Sequence, residues 1–79
     1  MALSSPTPLS AHARTLSADA EAVAGCADRL REIAARLRGH EATPDWLYEL
    51  LNAQISACTV AAAELEEAAA RLRDLADGG

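Results

Sequence analysis

Apolar residues fall on a seven-residue grid over most of the chain. Leu9, Leu16, Val23, Leu30 and Leu37 recur every seven positions, and Ala13, Ala20, Ala27 and Ala34 stand four residues after the first four of them. Later, Leu51, Cys58, Leu65 and Leu72 repeat the spacing, accompanied by Ile55, Ala62, Ala69 and Ala76. A heptad of this kind puts one continuous apolar seam on a helix. The seam alternates large and small side chains. Alanines let two helix axes approach, and the larger residues fill the layers between them. The chain therefore reads as all-α, an antiparallel two-helix hairpin.

Local signals place the ends of the helices. Thr7 is suited to cap a helix whose first residue is Pro8, where the fixed φ helps and the missing N–H costs little. The run Gly39-His40-Glu41-Ala42-Thr43 interrupts the pattern, with Gly39 expected to end the first helix in the left-handed conformation and Thr43 to cap the second. Pro44 then repeats the Thr-Pro start. The predicted layout is a flexible arm over 1–7, a helical hairpin over 8–76 broken near 39–43, and a flexible end over 77–79. Within it the first helix runs from about Pro8 to Arg38 and the second from about Pro44 to Ala76. Gly25 weakens the first helix without breaking it. Arg36 and Arg38 suit the negative end of the first helix dipole, and Asp45 and Glu49 suit the positive end of the second.

Helices of about 30 residues extend roughly 45 Å each, and a chain of 79 residues buries only about 60% of its unfolded surface. Ile33, Cys26, Leu47, Leu50 and Leu75 lie beside the seams and widen the apolar surface beyond what one facing helix covers. A second hairpin could cover it. The expected assembly is a four-helix bundle, formed as a homodimer or with a heterologous helical protein, docking through Leu16, Val23, Leu30, Leu51, Leu65 and Leu72. The alternative is a lone hairpin with a partly exposed Ala/Leu face. Trp46, in the first turn of the second helix, has two readings. It can anchor a partner, or it can seal the end of the bundle against Leu37.

Composition narrows the function classes. Roughly a quarter of the residues are alanine, Trp46 and Tyr48 are the only aromatics, and there is no lysine. With a net charge of -5 and a pI near 4.8, the chain lacks the broad positive field that supports nucleic-acid binding. No nucleic-acid partner is expected. Met1 to Thr7 contain no basic or apolar run of the secretory kind, and no segment is apolar enough to span a bilayer. The expected site of synthesis is cytoplasmic, with signal-independent export left open.

Candidate chemistry is sparse. Cys26 and Cys58 are nearly equidistant from the centre of the connection, so an antiparallel hairpin sets them at similar height. Either they form a disulfide, which requires a Cα separation within about 7 Å, or they are two buried free thiols. Their spacing is not a metal motif, and His12 and His40 stand far apart along the hairpin. Tyr48 lacks a base or electrophile beside it. Arg29, Arg31, Arg36 and Arg38 make a basic end that Asp28 and Glu32 dilute. Glu64, Glu66 and Glu67 suggest either a solvated face, with Glu67 paired to Arg71 and Glu32 to Arg36, or carboxylates for metal-assisted hydrolysis. No nucleophile-base pair, phosphate loop or cofactor fingerprint occurs, so no catalytic, cofactor or metal residue is assigned. The leading expectation is a non-enzymatic interaction module. The competing one is an oligomeric, metal-dependent nucleotide hydrolase using Glu64 and Glu67.

Two long Ala-rich helices, a short central break and Trp46 at the start of the second helix together resemble the WXG-type, ESAT-like helical hairpins of type VII secretion. The resemblance covers most of the chain as an architecture. It implies a small acidic protein that pairs as a homo- or heterodimer and travels with a secretion system. Trp46 is followed by Leu47 and Tyr48, so the Gly that the family carries two positions after Trp is absent. The residue four beyond the only tyrosine, Tyr48, is Asn52, so the C-terminal Tyr-x-x-x-Asp/Glu signature is absent too.

Overall fold

A computed structural model describes residues 7–78 of the chain as two long helices packed side by side as a hairpin. Helix α1 spans Pro8–Leu37 and helix α2 spans Asp45–Ala76. Most of the predicted arm, residues 1–6, and the terminal Gly79 lie outside the described residues. Thr7 does what its sequence position predicts. Its Oγ1 accepts a hydrogen bond from the Ser10 N–H at 3.1 Å, and Pro8 takes the first helical position. At the far end α2 stops at Ala76, and Gly78 adopts a φ of 84°, a conformation that glycine reaches without a Cβ clash.

The connection works differently from the expectation. Gly39 is not left-handed, because Gly78 is the one glycine with positive φ among the described residues. Instead α1 tightens into a turn in which the Gly39 N–H bonds to the Arg36 carbonyl at 3.3 Å and the His40 N–H to the Leu37 carbonyl at 2.9 Å. Those short-range bonds satisfy carbonyls that a left-handed cap would otherwise have served. Thr43 also changes role. Its hydroxyl donates to the Leu37 carbonyl at 3.3 Å, so it ties down the end of α1. The N-cap position of α2 falls to Pro44, which has no side-chain hydrogen bond to offer.

The heptad seams are the packed faces. Among the described residues every buried one is an alanine: Ala13, Ala20, Ala27 and Ala34 on α1, and Ala69 on α2. The large seam residues Leu9, Leu16, Val23, Leu30 and Leu37, and Leu51, Cys58, Leu65 and Leu72 opposite, are all half-buried. Geometry explains the division. A methyl group fits wholly in the close contact between two axes, whereas a leucine reaches past the edge of a layer only one helix thick.

Cross-helix hydrogen bonds fix the register. Ser17 Oγ donates to Glu66 Oε1 at 3.2 Å and accepts from Arg73 Nη1 at 3.1 Å, while Arg31 Nη2 donates to Thr59 Oγ1 at 3.0 Å. These bonds run the helices antiparallel, with the stretch of α1 around Ser17 beside Glu66 to Arg73 of α2 and that around Arg31 beside Thr59. Both seams alternate large and small side chains along this shared length.

Candidate functional site

The two edges of the hairpin have opposite chemistry. All the cross-helix hydrogen bonds between side chains of the described residues lie on one edge, where Ser17 and Arg31 of α1 meet Thr59, Glu66 and Arg73 of α2. Arg31 is held from its own helix as well, by Asp28 at 2.9 Å, and Thr59 returns its hydroxyl to the Ile55 carbonyl at 2.8 Å. Two shallow clefts open along this edge. One, of about 290 Å³, is lined by Ser10, Arg14, Arg73, Ala76 and Asp77. The other, of about 310 Å³, is lined by Arg31, Ala34, Arg38, Asn52 and Ile55. Each sets exposed arginines on an open surface rather than enclosing a ligand-sized apolar chamber.

The other edge, and the outer side of α2, carry the uncovered apolar surface. Trp46 is 64% exposed, Leu75 57%, Val60 56%, Leu50 51% and Ile33 44%. The reading of Trp46 as a seal against Leu37 is therefore corrected. At the turn end of the seam the half-buried aromatic is Tyr48, two residues on, because the helical rotation turns Trp46 outward.

The structure puts Leu16, Val23, Leu30, Leu51, Leu65 and Leu72 in the seam between α1 and α2, half-buried. Of the residues beside the seams, Ile33, Leu50 and Leu75 are exposed as the widening of the apolar stripe anticipated, and Leu47 is half-buried. One feature was missed. Trp46, Leu50, Ala53, Ala57 and Val60 form a second stripe at alternating spacings of four and three, all exposed. Its signal was in the sequence, overshadowed by the longer seam.

Both cysteines are free. Cys58 is half-buried in the seam. Cys26, one residue round the helix from Ala27, is exposed, and its Sγ accepts a hydrogen bond from Arg29 Nη2 at 3.1 Å. The expectation of two buried thiols thus holds for neither in full, since a step of one residue rotates a helical side chain by about 100°.

Glu64, Glu66 and Glu67 are exposed. Glu67 pairs with Arg71 at 2.7 Å, as its spacing predicts, whereas Glu32 and Arg36 form no ion pair. Among the described residues no group of three or more His, Cys, Asp or Glu side chains converges to hold a metal, and no helix is long and apolar enough to cross a membrane. Comparison of the chain with models of protein families, with curated proteins and with solved structures found no match.

Proposed function

We propose that the chain is a non-enzymatic protein-protein interaction module, a helical subunit that works by pairing with a second copy or with another helical protein. The observation that supports this reading is the imbalance between core and surface. Among the described residues no large side chain is fully buried, while five large apolar ones are exposed. A helix that is apolar on more than one face is built to be covered.

Affinity capture from the source cells with a tagged chain tests the reading. The expected outcome is stoichiometric retention of one defined polypeptide, either the untagged chain itself or a second helical protein. A chain that retains nothing stoichiometric and stays monomeric at high concentration would overturn it. The competing reading, nucleotide hydrolysis through Glu64 and Glu67, has its own decisive result. Metal-dependent turnover that disappears on Glu64→Ala would replace the interaction module with an enzyme. A secretion-associated form of the proposal rests on the hairpin plan with Trp46 at the start of α2, and gene neighbourhood separates it from an adaptor role.

A further inference from the structure

We infer that the exposed stripe Trp46, Leu50, Ala53, Ala57 and Val60 of α2 is a self-complementary interface that binds a second copy of this chain, antiparallel, about a two-fold axis at Ala53. The inference rests on the interaction-module reading and names its occupant.

Three observations lead to that occupant. First, the stripe has the same alternation of four and three residues as the seam, so it fits a helix of the same kind. Beyond Val60 the corresponding positions are Glu64, Glu67, Arg71 and Asp74, which confines the apolar surface to about 21 Å, or four turns. Second, the order of sizes is complementary to itself when reversed. In an antiparallel pair centred on Ala53, Trp46 of one copy meets Val60 of the other and Leu50 falls into the gap between Ala53 and Ala57, while the two Ala53 methyls allow the axes to close in. Large set against small in this way lets two helices close without a void or a clash. A parallel pair would instead set Trp46 on Trp46 and Leu50 on Leu50, crowding one end of the stripe and leaving the other to the smaller Ala57 and Val60.

Third, the area suffices for one copy and little more. With Trp46 64%, Leu50 51% and Val60 56% exposed, and both alanines exposed, the stripe offers on the order of 450 Å² per chain, so a pair removes roughly 900 Å² from water. Half-buried Leu47, next to Trp46 on the same helix, adds a little, and the total stays close to the roughly 1,000 Å² that marks the lower limit of a specific interface. The pair should therefore be weak and concentration-dependent.

The test uses the whole chain with Cys26→Ser and Cys58→Ala, to keep native thiols out of the reading. Sedimentation equilibrium from about 1 μM to 1 mM should show the mass moving from one chain towards two. Leu50→Glu and Val60→Glu change exposed residues, so each should keep the helical circular dichroism and stay at one chain throughout. Ala53→Cys in the same background should oxidise to a covalent dimer, whereas Ala63→Cys should not, because the register holds its two copies about 30 Å apart. Association that survives both glutamates, or a covalent dimer formed at Ala63 and not at Ala53, overturns the interface. A chain that remains single at the highest concentration overturns the second copy as occupant, while affinity capture of a different helical protein would still uphold the broader reading.

Discussion

At the scale of single residues, the fold separates positions that want a methyl group from positions that lack one for no packing reason. Gly25 is the second kind. A Cβ built there meets nothing within 4 Å, and its φ is not positive. Gly25→Ala should therefore stabilise the hairpin by about 0.5–1 kcal/mol, the usual helix-interior penalty of glycine, and a urea melt reads it directly. Ala20 is the opposite case. It is 2% exposed on the face packed against α2, so Ala20→Leu should push the helices apart and cost about 1–3 kcal/mol. Equal and small effects at both sites would mean that the axes are not held as close as the alanine seam implies. The cysteines divide in the same way. Cys26 is exposed and Cys58 half-buried, so a thiol reagent added to the native chain should label Cys26 first. Faster labelling of Cys58 would place the seam on a different face of α2. The heptad puts Cys58 on the seam and Cys26 beside it, but spacing does not say how far a single facing helix covers either thiol.

At the scale of elements, the two helices start differently. The N-terminus of α1 has a side-chain cap, whereas that of α2 has none. Thr7→Ala should cost about 1 kcal/mol, felt mainly as faster amide exchange over the first two turns of α1, with the turns near Leu37 unchanged. Uniform acceleration along both helices would show that the hairpin opens only as one unit. The capping of α1 was legible because its partners, Thr7 and Ser10, are three residues apart. The role of Thr43 was not, since its hydroxyl bonds back to Leu37, six residues earlier, and that path depends on how the turn closes. The ion pairs show the same limit. Glu67 and Arg71 meet, while Glu32 and Arg36, with identical spacing, do not. Exposed pairs of this kind contribute little, so the surrounding side chains decide whether they form.

At the scale of the whole molecule, two helices make a single layer, and a single layer cannot enclose leucine. Covering α2 with a second copy would add a layer and link stability to concentration. The melting temperature should therefore rise with chain concentration, by a few degrees between about 10 μM and 1 mM, and remain flat for Val60→Glu. The sequence by itself determined the helices, their number, the position of the break and the residues on the seam, because heptad periodicity, proline starts and terminal glycines act over a few residues. Only the tertiary structure decided the rest. It chose alanine rather than leucine as the buried residue, joined the polar side chains across one edge, and left Trp46 uncovered where Tyr48 is half-buried. Those outcomes depend on the distance between two axes and on the rotation of each helix about its own, and these are fixed only when both helices pack together.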